Sequence, residues 1–253
     1  MRPTKRDLLI SSALKVFYQN GFSATGMDEL AEKVGISKTS IYNHFNSKDE
    51  LIAATLKLRD HNFRRWLKQR VKQLASTPSG QLLAVFDALE EWFQDPAFKG
   101  CMLVKAVSEF QKDDSFAKVI AKDNKQDLLN YYHSLAIEAD FKQPAMIARQ
   151  ILILQEGAIA SAQVGTFKGA AEDARFAAAL LINNAKQEKA ALSLTLPKKR
   201  LEETATYVPK VTMASTEEPI DAKDEDLMEP ETQKQLSDNF EDIAWPMNAA
   251  NSK

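Results

Sequence analysis

The stretch 27–45, MDELAEKVGISKTSIYNHF, constrains this chain more than any other. Two short helices that cross closely need a small residue at the contact, and Ala31 supplies it. Four residues on, the turn between them needs a backbone with positive φ, which Gly35 adopts without a Cβ clash. Six residues later a branched apolar side chain must pack back onto the first helix, and Ile41 stands there. Leu30, Val34, Ile36 and Phe45 complete a small core. Three constrained positions at fixed spacing predict a helix-turn-helix.

That packing leaves the other face of the second helix outward. Ser37, Lys38, Thr39 and Ser40 lie at its N-terminal end, the end that reaches base edges in helix-turn-helix proteins. Tyr42 and His44 point sideways, where they can donate to phosphates. Lys48 follows at the next helix start, where free amides and the helix dipole also favour an anion. Thr25 offers a hydroxyl and a helix N-terminus to the opposite phosphate flank.

Around this motif the chain reads as all-α. Eight glycines and nine prolines in 253 residues are few, and Ala, Leu, Lys, Gln and Glu dominate long stretches. Thr4-x-x-Asp7 opens a first helix that Gly21 closes. Thr25-x-x-Asp28 opens the second, Ser37 caps the third, and Ser47-x-x-Glu50 starts a long helix running toward residue 75. Thr77-Pro78-Ser79-Gly80, Asp95-Pro96, Asp113-Asp114-Ser115 and Pro144 mark further breaks. They predict helices over 80–94, 97–111, 115–139, 144–164 and 172–190. No β-alternation, internal repeat or glycine-rich phosphate loop is present.

Charge is asymmetric. Residues 198–253 carry 7 basic against 13 acidic side chains, while the chain as a whole is only −2, so the body is mildly basic. Residues 197–253 also hold five prolines and no glycine, and read as an acidic disordered tail with an apolar cluster at Phe240, Ile243 and Trp245. No stretch of about 18 uncharged apolar residues suggests a membrane span. The single cysteine, Cys101, excludes an intramolecular disulfide and fits a reducing, cytoplasmic setting.

Phe17, Gly21-Phe22, Thr25, Leu30-Ala31, Gly35-Ile36-Ser37, Tyr42-x-His44-Phe45 and Ser47-Lys48-x-x-Leu51 closely resemble the TetR/AcrR family of transcription regulators. The resemblance covers about residues 5–55. It implies a three-helix DNA-binding domain over 1–48 and a larger helical effector-binding and dimerisation domain over 49–196, leaving 197–253 as a tail beyond the family's usual length. It further implies a homodimer joined through its last two helices, gripping palindromic double-stranded DNA. Repression is the family default, with release by a small-molecule or thiol-modifying effector bound among the middle helices.

Candidate pocket residues are Phe63, Trp66, Phe86, Trp92, Cys101, Phe110 and Tyr132, although aromatics at helical spacing are more often core. Cys101 lies in Gly-Cys-Met-Leu-Val-Lys and reads either as a small buried filler or as a sensing thiol beside Lys105. Candidate seam residues are Ile147, Ile151, Leu154, Ala158 and Ala162, with Phe176 and Leu180 on the last helix. The spacing of His61 and His133 fits no metal-ligand pattern, so neither a metal nor another cofactor is expected. A nucleophile–base pair or paired catalytic carboxylates are likewise not in evidence, which disfavours an enzyme. A third reading makes the chain an interaction module whose tail recruits a partner.

Overall fold

The computed structural model describes residues 4–112 and 114–187, and these residues form nine α-helices and no strand. The order is α1 (Lys5–Asn20), α2 (Met27–Val34), α3 (Lys38–His44), α4 (Lys48–Leu74), α5 (Pro78–Phe93), α6 (Met102–Glu109), α7 (Phe116–Glu138), α8 (Pro144–Val164) and α9 (Ala170–Gln187). The tail expected over 197–253 lies outside the described residues.

Local chemistry sets most boundaries. Thr4 and Asp7 form a reciprocal capping box at the start of α1. Ser37, Ser47, Thr77 and Ser115 each accept a backbone N–H in the first turn of α3, α4, α5 and α7. Pro78 and Pro144 occupy the first turns of α5 and α8, where a missing N–H costs nothing. Gly35 ends α2 at φ 76°, ψ 32°, and its N–H turns back to the carbonyls of Ala31 and Glu32. Two expectations need correction. The cap of α2 is Gly26, not Thr25, whose hydroxyl donates instead to the Gly21 carbonyl at 2.8 Å. The helix expected over 97–111 is shorter, because Gly100 turns the chain at φ 81° and α6 begins only after Cys101.

Two apolar cores result. The first joins Leu9, Ala13, Phe17, Leu30, Ile41 and Phe45 of α1–α3 and its edges to Leu51, Ile52 and Leu56 of α4, and continues into α6 and the start of α7. Fully burying a Leu or Ile contributes about 1.5–3 kcal/mol, so the first turns of α4 are fastened to the small helices rather than merely following them. The second core gathers Leu67 and Val71 of α4 with α5, the later turns of α7, α8 and α9. The 27-residue α4 is shared by both.

Core membership corrects the expected dimer seam. Ile147, Ile151 and Ala158 are buried in the second core of their own protomer, which leaves them no surface for a partner. Leu154 and Ala162 are half-buried. Phe176 and Leu180 do project outward from α9. On α8 the exposed apolar and small residues are instead Ile153, Gly157, Ala160 and Val164, a stripe along one helix face.

Candidate nucleic-acid interface

The second helix of the motif is held from behind. Ile41 and Phe45 are buried against Leu30, Ala31 and Val34, and the Arg6 guanidinium covers the Phe45 ring at 4.8 Å. With that face fixed, Ser37, Lys38, Thr39, Tyr42 and Asn43 face outward, while His44 and Lys48 are half-buried at the flank. Lys38 Nζ reaches the Asp28 carboxylate of α2 at 3.0 Å, and this hydrogen bond raises the lysine above its ordinary value. The ion pair sits at the exposed N-terminal end of α3.

Two expected contact residues sit elsewhere. Ser40 is buried, on the side of α3 turned toward the core, and its N–H is taken by the Ser37 hydroxyl at 3.0 Å. Thr25 is fully buried with its hydroxyl committed to Gly21. Neither presents a side-chain donor to a groove or phosphate. Asn43 was passed over in the sequence, although it lies four residues after Thr39 and shares its face.

Behind the motif, α6 ties the small helices to the rest of the chain. At its C-terminal end the Glu109 carboxylate accepts the N–H groups of Ser23 at 2.6 Å and Phe22 at 3.3 Å. Burial works against the Glu109 charge, yet the hydrogen bonds from Ser23 and Phe22 hold its pKa below the usual value. At the other end the Tyr18 hydroxyl accepts from Lys99 N–H at 2.8 Å and donates to the Gly100 carbonyl at 3.2 Å.

Next to that end lies a cavity of about 30 Å³. Arg59, Asp60 and Phe63 of α4 and Trp92 of α5 form one side. Cys101, Met102 and Leu103 form the α6 wall, and Asn124, Lys125, Gln155 and Ile159 of α7 and α8 close it. Three of the expected pocket residues, Phe63, Trp92 and Cys101, are therefore brought together. The other four are not on its lining. Phe86 is buried in the second core, and Phe110 packs between Phe22 and Phe116 in the first. Trp66 backs Phe63 at 5.7 Å, and the buried Tyr132 hydroxyl donates to Gln155 from behind the wall.

Most polar groups of the lining are already engaged with one another. Asp60 accepts both nitrogens of an Arg64 fork at 2.8 and 2.7 Å, and the Asn124 amide at 2.5 Å. Lys125 pairs with Glu156 at 2.8 Å. The Arg59 guanidinium lies over the Tyr18 ring at 4.6 Å and the Trp92 ring at 5.8 Å. Burial lowers its pKa to about 10. Among the described residues no group of three or more His, Cys, Asp and Glu could hold a metal ion, and no helix is long and apolar enough to cross a membrane.

Comparison with known proteins bears on this geometry. Residues 9–55 match the family model described as bacterial regulatory proteins, tetR family. The transcriptional regulator YjdC of Escherichia coli is 24% identical over 155 residues, 61% of this chain and 81% of that protein. The transcriptional activator FasR of Mycolicibacterium smegmatis is 36% identical over 94 residues, 35% of this chain and 42% of that protein. Among solved structures, a TetR-type regulator of Streptomyces avermitilis superposes with a TM-score of 0.57 at 28% identity, covering 70% of this chain and 99% of its own. A TetR-family regulator of Streptomyces coelicolor gives 0.64 at 22% identity, over 72% and 96%, a likeness of fold. The matched stretch takes in the motif, its small core and the first turns of α4, so residues 9–55 form a TetR-type DNA-binding domain, and the chain is a DNA-binding transcriptional regulator, as are the relatives it resembles, which are regulators and not enzymes.

Proposed function

We propose that the chain acts in the cytoplasm as a homodimeric repressor whose two α3 helices enter successive major grooves of a palindromic operator. The observation that carries this reading is the outward row Ser37, Lys38, Thr39, Tyr42 and Asn43, set on a helix whose opposite face is buried. In this docking Lys38, Thr39 and Asn43 meet base edges, while Tyr42, His44 and Lys48 meet phosphates. The exposed stripe of Ile153, Gly157, Ala160 and Val164 on α8, with Phe176 and Leu180 on α9, supports a two-fold interface in which small residues allow close helix approach.

The cavity beside α6 is the proposed effector site, and residues 1–48 and 49–196 divide into reading head and body. As it stands the cavity has room for roughly two waters, so an effector must spread its walls. A ligand that binds the spread state better shifts the dimer away from the spacing of about 34–36 Å that successive grooves demand. The test is a footprint on DNA upstream of the chain's own gene. Two protected half-sites about one helical turn apart are expected, and no protection at low salt would overturn the reading.

A further inference from the structure

Along α4, residues 51–74 carry seven basic side chains and a single acidic one, Asp60. Three of the seven are engaged: Arg64 pairs with Asp60 and Asp127, Arg70 with Glu91, and Arg59 lies over the Tyr18 ring. The other four, Lys57, Arg65, Lys68 and Lys72, make no ion pair among the described residues. At about 100° per residue they fall within a sector of about 80°, away from the side that buries Leu56 and Leu67. Lys57, Arg65 and Lys72 are exposed, and Lys68 is half-buried with its Nζ 5.2 Å from the Tyr131 ring centre. Like charges three and four residues apart on a helix repel. Burial and then Arg64 lower the Lys68 pKa, with Lys72 adding to them and Asp127 opposing. The stripe does not continue the DNA-facing surface, because Lys48, at the start of the same helix, falls about 140° round from its middle.

The opposite charge is present in the chain itself. Residues 217–231, EEPIDAKDEDLMEPE, hold eight of the 13 acidic side chains of 198–253 and only one lysine, Lys223. We propose that this acidic segment docks along the α4 stripe, its carboxylates facing Lys57, Arg65, Lys68 and Lys72. Thirty residues separate Gln187, the end of α9, from Glu217, and that length of chain spans up to about 100 Å. Helix α9 packs on α5 and α5 on α4, which sets the stripe roughly 20 Å from α9 at about 10 Å per helix layer. The stripe is about 22 Å long, well within the reach of a 15-residue segment. Each exposed pair is weak by itself. Attachment to the same chain raises the segment's concentration at the stripe, so several weak pairs suffice.

The experiment uses the full chain. A zero-length carbodiimide joins carboxylates to lysines where they touch, and mass spectrometry reads the joined peptides. Links from 217–231 to Lys57, Lys68 and Lys72 are expected at low salt. They should fade at about 1 M salt, where the screening length is about 3 Å. Arg65→Glu keeps the three lysine reporters and should cut the yield roughly fivefold. Arg65 is exposed, and circular dichroism checks that the variant keeps its helix content. A lysine-acetylation footprint is the second measurement. Lys57 and Lys72 should be protected in the wild-type chain and lose that protection when the eight acids of 217–231 become amides. Links gathered on Lys38 and Lys48 would put the segment on the reading head, and links spread evenly over all lysines would show no site. Either result overturns the docking, as does a yield that ignores salt or Arg65→Glu. Protection that appears only when duplex DNA is added would assign the stripe to nucleic acid and overturn it too.

Discussion

Glu109 and Ser23 lie 86 residues apart in sequence, yet the Glu109 carboxylate accepts the Ser23 N–H at 2.6 Å. The bond joins the end of α6 to the turn that precedes α2. It ties the reading head to the helix whose first turn forms a wall of the cavity. Glu109→Ala should cost about 0.5–1 kcal/mol of stability, discounted for its exposure. Its larger effect should be on coupling, so that an effector binds the variant normally but releases DNA less. Because the folded-state pKa is depressed, the bond's contribution is complete above the ordinary carboxylate range and is lost as pH falls through the lower folded value. Urea melts of wild type and variant should therefore converge toward low pH. Parallel curves down to pH 3 would show that the bond is not formed in solution.

On DNA, Tyr42→Phe combined with Lys48→Ala should weaken binding to all sequences alike. Lys48→Ala alone should flatten log K against log salt by about one unit per monomer. Thr39→Ala should instead change preference at particular base pairs. Ser40→Ala should alter stability and leave sequence preference untouched, because Ser40 faces inward. Gel shifts on an operator library read all four, and unchanged affinity in the Tyr42/Lys48 double variant would contradict the docking.

At the proposed α8–α9 interface, Phe176→Glu places a charge on a residue that is 67% exposed. Sedimentation should show a folded monomer with wild-type helix content. Ala158→Glu puts the same charge into the second core, where Ala158 is 3% exposed, and should lower the melting temperature or abolish folding. Dimerisation that survives Phe176→Glu at micromolar concentration would move the interface elsewhere.

Gly100 makes a separate demand on packing. Its φ is 81°, and an added Cβ would stand 1.9 Å from the Gln163 side chain of α8. Gly100→Ala should cost about 2 kcal/mol or more, since strain and overlap coincide. Gly100→Ala with Gln163→Ala should recover the overlap and leave the backbone strain. Thermal melts of the single and double variants measure the two separately.

The sequence makes the motif legible because Ala31, Gly35 and Ile41 each answer a steric demand set within a few residues. The same holds for the caps at Thr4, Ser37, Ser47 and Ser115. Where demands come from distant partners, periodicity loses its hold. Helix α8 is apolar on two faces, and nothing local says that Ile147, Ile151 and Ala158 turn inward while Ile153 and Val164 turn outward. The cavity was half legible for the same reason. Phe63 and Trp92 advertise an apolar site, but Arg59, Asn124 and Gln155 come together only when three helices pack, and each alone reads as an ordinary polar position on a helix. Ser40 reads like its neighbours Lys38 and Thr39, which do face outward, but each step along the helix turns the side chain by about 100° and brings Ser40 to the buried side.

Helix α4 runs from Lys48, beside the reading head, past Arg59 at the cavity. Eleven residues separate the two, an axial distance of about 16 Å at 1.5 Å per residue. If α4 pivots at Arg59 as a rigid rod, a tilt of about 10° sweeps its first turn through roughly 3 Å, close to the 3.4 Å rise of one base pair. In a two-fold pair the displacements add, so two small tilts would carry the reading heads nearly two base pairs out of step. A sub-ångström expansion at the cavity, close to the pivot, is then enough to put one half-site out of phase with the other.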